Sequence, residues 1–449
     1  MNEQIPASSN RDGLENYWLP FTPNRYFKRN PRIIASAEGA YYTLADGRRV
    51  FDCLSGLWCC PLGHANPEIA ESVKRQAETL DYATAFQMSN PTTLSFAARV
   101  ADMAPAGLDH VFFANSGSES VDTALKIAVG YHRMKGEAHR TRIIGRERGY
   151  HGVGMGGISV GGMTANRKMF APLMLHGVDH LPHTYDRAQM AFTHGQPEWG
   201  AHLAEDLERL VALHDASTIA AVIVEPMQGS AGVVVPPVGY LERLREICTK
   251  HGILLIFDEV ITGFGRLGAN FASQRLDVVP DMMTFAKAVT NGVIPMGGVI
   301  VADEIYDAYM SGPEEAVELY HGYTYSGHPM AAAAGHATLD VMERDGLIPR
   351  AAELAPVLEG AVHELKGADG VCDIRNFGLA AAVDLEPFEG KPGLRAMRVF
   401  ERALQTGMLV RFTGDTIAMA PPFISTEDEL RVMCATLGDA IASVTSPDA

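Results

Sequence analysis

Cysteine is scarce in this chain. Six occur in 449 residues, with no CxxC pair among them. They make no disulfide framework, and the adjacent Cys59 and Cys60 do not easily bridge each other. A reducing, cytoplasmic compartment is therefore expected. Long hydrophobic runs are missing too. Nothing approaches the ~18 residues that would span a bilayer, and the opening MNEQIPASSNRDGLENYW has no apolar signal core. Basic charge is in deficit: 37 Lys and Arg face 54 Asp and Glu, a net charge of −17. That balance argues against nucleic acid and anionic membrane surfaces as partners. No internal repeat is visible. His176, His180 and His183 have a metal-like density, but Pro182 interrupts them and no acidic or cysteine ligand pattern surrounds them. They read as loop histidines, and no metal is expected.

What is present suits a large soluble core. Apolar residues make up 47% and charged residues 20%, ordinary for a globular enzyme, and the length suggests two or three domains. Residues 1–15 are polar and expected to be mobile. Trp18 to Tyr26 reads as an irregular aromatic arm. GAYYTLADGRRVFDC reads as a hairpin turning at Asp46-Gly47, and Ser55 to Pro67 as an irregular loop carrying Trp58. Helical spacing marks 67–79, 91–103, 119 to about 135, 205–214, a helix closed by Gly252, another starting near Pro329, and 348–366. Short apolar strands fall between them. This alternation predicts an α/β fold with a mostly parallel sheet. The expected division is an arm and hairpin over 1–60, a large domain over 61–330, and a smaller α+β domain over 331–449 to which the first segment also belongs.

Several strand ends carry residues that packing does not ask for. LLIFDEV, Leu254 to Val260, reads as a strand buried on both faces. Asp258 at its end calls for a buried cationic partner. Lys287, in the apolar segment TFAKAVTNG, lies 29 residues on (287 − 258), room for one crossover back to the same sheet edge. Another apolar strand ends in Glu225. Ser116, Gly117 and Ser118 open a helix after a short strand, an anion site by its free N–H groups or an ordinary N-cap. Tyr150-His151 between glycines either covers a flat ligand or is a surface turn. Two further matches, GxGxxG over 152–157 and GxSxG over 157–161, lack the strand and helix that a dinucleotide or nucleophile site needs, and read as coincidences of a glycine-rich loop. One ligand would use all the remaining signals: pyridoxal phosphate. Its phosphate suits the helix start, its ring an aromatic cover, its pyridine nitrogen a carboxylate, and its aldehyde a lysine amine.

With SGLW, SGSE, GYHG, VEPMQG, IFDEVITGFGR, the Lys287 segment and HGYTYSGHP in this order, the chain resembles the class III aminotransferases over nearly its whole length. Through SGLW, HGYTYSGHP and VRFTGDT it is most similar to the ω-amino acid–pyruvate members (ω-transaminases). The resemblance implies a fold-type I pyridoxal-phosphate-dependent transferase with a seven-stranded sheet. It also implies transfer of an amino group from an ω-amino acid or primary amine to pyruvate in a ping-pong cycle. Taurine, diamine or ornithine-type aminotransfer and an aminomutase are the alternatives it leaves. By the same resemblance Lys287 holds the cofactor as an aldimine, with pyridoxamine phosphate as intermediate, and Asp258 pairs with the ring nitrogen. Gly117 and Ser118 hold the phosphate, Ser116 shapes that turn, and Tyr150 and Val260 cover the ring. Glu225 and His151 support these residues. Thr324 reaches the phosphate of a neighbouring subunit, which implies a homodimer with shared sites, or a tetramer of such dimers. Trp58 lines the substrate pocket and Arg411 binds a carboxylate. Ala418 stands where some β-alanine-using relatives carry Gln; with Phe21, Trp58, Phe86 and Tyr150 it makes an apolar or aryl amine a plausible donor.

Overall fold

The computed structural model describes residues 13–447; the first twelve residues of the polar tail lie outside it. Seven strands form the central sheet: β1 (His110–Ala114), β2 (Arg142–Arg146), β3 (Val178–Leu181), β4 (Ile219–Val224), β5 (Leu254–Asp258), β6 (Met282–Ala286) and β7 (Gly297–Val301). Their spatial order is β1-β7-β6-β5-β4-β2-β3. Only β7 runs antiparallel to its neighbours; the pairs from β6 to β3 are parallel. Strands β4 to β7 are buried along their whole length. Cover on both faces explains why they read as unbroken apolar runs rather than alternating ones.

Local chemistry sets the helix boundaries. Asn66 and Asn90 cap helices Pro67–Thr79 and Pro91–Met103 through their side chains, each with proline in the first turn. Gly252 ends Tyr240–His251 in the left-handed region, φ 63°. The helix after β1 runs Gly117–Met134, starting two residues before the expected Glu119 because Ser116 already accepts a hydrogen bond from the Glu119 amide.

Two expectations need correction. His180 lies on β3 and not in a loop. That four-residue edge strand is too short and too polar to show an apolar pattern. The glycine-rich stretch after His151 is not all loop: Met155–Val160 is a short buried helix. Its glycines allow close approach, since a Cβ on Gly157 would lie 2.2 Å from the His151 carbonyl oxygen. Ser159 Oγ donates to the Met155 carbonyl and accepts from the Leu175 amide, so it is no exposed nucleophile.

Outside the central sheet, Ile34–Glu38, Tyr41–Leu44 and Arg49–Asp52 form an antiparallel set, and the last of them pairs in parallel with Met408–Leu409. Ile34–Glu38 is a strand the sequence pattern does not mark. Val371–Asn376, Ala381–Leu385, Thr416–Met419 and Arg411–Thr413 form a second antiparallel sheet. No helix among the described residues is long and apolar enough to cross a membrane.

Candidate active site

Strands β1, β2, β4, β5 and β6 all end on one edge of the sheet, where open α/β sheets place their ligands. A cavity of about 170 Å³ opens there, lined by Gly117, Ser118, Tyr150, His151, Gly152, Glu225, Asp258, Val260, Ile261 and Lys287. Each strand contributes through the turn that follows it. Residues spread over 171 positions of sequence (117 to 287) thus meet in one place.

Asp258 is 5% exposed. Its Oδ2 lies 2.8 Å from His151 Nδ1, and its Oδ1 accepts from Thr284 Oγ1 at 3.0 Å and from the Val260 amide at 3.2 Å. The partner expected for it within the chain, a buried cation, is thus an imidazole aided by a hydroxyl. Lys287 does not pair with Asp258. Its Nζ stands at the cavity wall, and burial holds its pKa below the ordinary lysine value, against the pull of Asp258 and Glu225. Its backbone is in the left-handed region, φ 54°, a conformation that costs a non-glycine residue of order 1–3 kcal/mol and clusters at functional sites. Glu225 accepts the Tyr150 amide at 2.8 Å. Burial, with a smaller contribution from the Asp258 charge, pushes its carboxyl up to about 7. Burial likewise raises the Tyr150 phenol.

At the other end of the cavity the helix Gly117–Met134 begins. Ser116 Oγ caps the Glu119 amide, while Gly117 and Ser118 contribute first-turn N–H groups that have no intrahelical acceptor. Ser118 Oγ accepts from the Val153 amide and retains its own proton to donate. Space is tight: a Cβ on Gly117 would lie 3.0 Å from both Val260 methyls, and one on Gly152 would lie 2.4 Å from Ser118 Oγ. The cavity lining therefore combines free helix N–H groups, two carboxyl side chains and a lysine amine. His151 Nε2 is buried without a hydrogen-bond partner. This donor set fits pyridoxal phosphate.

Trp58, Arg411 and Ala418 meet in a smaller pocket with Gly229, Ser230, Gly232, Thr413 and Thr416. The antiparallel hairpin sets Arg411 directly across from Ala418. Burial lowers the Arg411 pKa, and the same guanidinium contributes to lowering Lys287, which ties the two pockets together. Phe21, Phe86 and Thr324 are exposed and line neither cavity of their own chain. Phe86 packs over Gly322, and Phe21 is 72% exposed.

Sequence reasoning missed Thr284, Gly152 and Ile261. Thr284 is hidden in an apolar strand and reaches Asp258 only through the β5–β6 register, which pairs the two residues. Glu259, beside Asp258, faces away from the cavity. It accepts the Ala272 and Ser273 amides and the Thr262 hydroxyl, and so starts a short helix.

A family model for aminotransferase class-III matches residues 24–441. An omega-aminotransferase of Caulobacter vibrioides is 56% identical over 431 residues, covering 96% of this chain and 98% of that protein. A beta-alanine–pyruvate aminotransferase of Pseudomonas aeruginosa is 52% identical, covering 99% and 100%. Among solved structures, an (S)-enantioselective omega-transaminase of Thermomicrobium roseum superposes with a TM-score of 0.92 at 34% identity, over 99% of this chain and 100% of that one. The chain belongs to the class III aminotransferases, enzymes that depend on pyridoxal phosphate.

Proposed function

We propose that this aminotransferase moves an amino group from an ω-amino acid or a primary amine to pyruvate, releasing alanine and an aldehyde or ketone. Arg411 carries the reading. Its guanidinium is largely buried, and no hydrogen bond or ion pair among the described residues engages it. A buried unpaired cation is costly, and a carboxylate, matched to the planar fork, removes that cost. Pyruvate and amino acids both bring one. The Pseudomonas aeruginosa relative's name, a beta-alanine–pyruvate aminotransferase, supports an ω-amino acid donor and pyruvate, and the Caulobacter relative's name supports ω-aminotransfer.

Bound in the cavity, pyridoxal phosphate supplies an electrophilic carbon and an electron sink. Gly117 and Ser118 bind its phosphate, with Ser116 shaping the turn. Tyr150 and Val260 cover the two ring faces. Asp258, held by His151 and Thr284, keeps a proton on the ring nitrogen by its charge, and Glu225 fixes the Tyr150 backbone. Lys287 Nζ, at the same cavity, would be the amine that holds the cofactor through its aldehyde carbon. Lys287 Nζ would also be the base that takes the proton from the donor's amine-bearing carbon. With pyruvate it makes the same transfer in reverse, placing the proton on pyruvate's C2. Burial favours this work because a lowered lysine pKa leaves more free base near neutral pH.

Ala418 and Trp58 make the wall beside Arg411 apolar, which favours an alkyl or aryl donor. A coupled alanine-formation assay over a donor panel tests both levels. Turnover of β-alanine with none of phenylethylamine would sink the apolar-donor reading. Alanine formed from no donor, or full activity in Lys287→Ala, would sink the whole assignment.

The same reading makes the enzyme a homodimer in which Thr324 reaches the phosphate of the other subunit. Exposure of Thr324, together with exposed Tyr82, Phe86 and Tyr325 nearby, supports it. It also groups residues 1–60 with 331–449 around a cofactor domain of 61–330, supported by the pairing of Arg49–Asp52 with Met408–Leu409.

A further inference from the structure

The loop that carries Trp58 also carries two thiols that aminotransfer does not use. Cys59 and Cys60 are free and half-buried, and their sulfurs face each other at 3.6 Å. Tight winding brings them together: both amides donate to the Ser55 carbonyl, at 2.8 and 3.0 Å, and Ser55, Gly56 and Trp58 all have positive φ. The sulfurs fill one gap between two glycines. A Cβ on Gly56 would lie 3.1 and 3.2 Å from the two Sγ atoms, and a Cβ on Gly292 would meet the same atoms at the same distances. Gly56 belongs to the Trp58 turn. Gly292 follows the helical turn that Lys287 opens, and its neighbour Asn291 ties that turn to Leu62 and Gly63. The thiol pair is thus wedged between the substrate wall and the lysine segment. Within it, the Cys60 S–H holds the Cys59 thiol low against the effect of burial, while Cys60 itself is held high. A thiolate in contact with a thiol is the arrangement disulfide exchange uses.

We propose that Cys59 and Cys60 form a modification site for small disulfides of the oxidised-glutathione class, and that a vicinal disulfide formed there reversibly stops aminotransfer. The second half of this rests on the reading of Trp58 and Lys287 as active-site residues. Cys59 thiolate attacks one sulfur of the reagent, forming a mixed disulfide and expelling one glutathione thiolate. Cys60 then gives up its proton and attacks Cys59 Sγ, expelling the second. The two cysteines lose two hydrogens and are oxidised; the reagent is reduced to two thiols. The sulfurs must close from 3.6 Å to about 2.05 Å. Adjacent Cα atoms only about 3.8 Å apart are closer than relaxed disulfides allow. The bond is therefore strained and easily reduced, suiting a labile link and not a structural one. Closing it moves sulfur away from one or both glycines and loosens the packing that sets Trp58 against the Lys287 segment.

The holoenzyme is incubated with oxidised glutathione, and the peptide bearing both cysteines is weighed beside the alanine-forming rate. The expected result is a loss of two hydrogens on that peptide and a fall in rate of about 10²-fold, the scale of a 1 Å misplacement, both reversed by dithiothreitol. Neither Cys60→Ser nor Cys59→Ser should lose two hydrogens, because the single remaining thiol can carry glutathione and cannot close the bond. Thiols that stay free in the folded enzyme while the denatured chain reacts would overturn the site. A vicinal disulfide with an unchanged rate would overturn its coupling to catalysis. Because mass reads the thiols directly, an untreated enzyme that turns over no amine would count against the aminotransfer reading alone.

Discussion

Glu225→Gln isolates the electrostatic strain of the cavity. Glu225 is 4% exposed, and its folded pKa of about 7 stands against an ordinary value of 4.5. At about 1.4 kcal/mol per tenfold change in proton affinity, keeping this carboxylate charged costs the folded chain about 3 kcal/mol. The sign follows from linkage. Between pH 4.5 and 7 the folded state binds more proton than the unfolded state, so stability falls as pH rises through that window and levels off above it. Glutamine keeps the oxygen that accepts the Tyr150 amide and removes the charge. The variant should therefore match the wild type below about pH 4.5 and exceed it by up to about 3 kcal/mol above pH 7. Urea unfolding at several pH values checks this, on cofactor-free protein and again with cofactor loaded. The loaded form should show a smaller difference, because the cofactor's ring nitrogen brings a positive charge nearby. Parallel stability curves for the two proteins from pH 4.5 to 8 would refute the idea that burial, and not the hydrogen bond, dominates at Glu225.

Three further outcomes are expected. Asp258→Asn removes the one charge anchored by His151 and Thr284 and should lower kcat for alanine formation by about 10²–10³-fold, with the fold intact by circular dichroism. Arg411→Leu should raise KM for pyruvate by about 10–150-fold, the worth of a charged hydrogen bond, while sparing a donor that has no carboxylate; equal loss for both would detach Arg411 from carboxylate binding. Subunits carrying Lys287→Ala, mixed with subunits carrying a disruptive Thr324 variant, should regain activity in hybrids if the site is shared, because one of the two sites then receives both intact residues.

Much of the fold and site could be read from the chain because the relevant signals are local. LLIFD announces a doubly covered strand by its unbroken apolar run, and an acid at its end stands out. Lys287 is conspicuous for the same reason, as a charge in apolar surroundings. Helix starts at Asn66 and Asn90 are written in two residues each. What stayed hidden depends on register and on half-buried edges. Nothing near Thr284 says that it faces Asp258; that comes from how two strands line up. The Val178–Leu181 strand is polar enough to pass for a loop, which hides the strand position of His180. Phe21 and Phe86 are exposed on a single chain, and whether an exposed aromatic faces another subunit is not written in local sequence.

The route by which the cavity is assembled also bears on how the chain folds. Its walls come from five turns separated by long stretches of sequence, and β2 must find β4, and β1 must find β7, past strands that intervene in the chain. Such distant pairings carry a large loop-closure cost and form slowly. A chain with only its local helices and hairpins in place has the phosphate-binding turn but neither Asp258 nor Lys287 beside it. Cofactor capture is therefore a late event in folding. The absorbance of the bound cofactor becomes a reporter of complete sheet assembly, lagging the helical signal in a refolding experiment by the time the sheet takes to close.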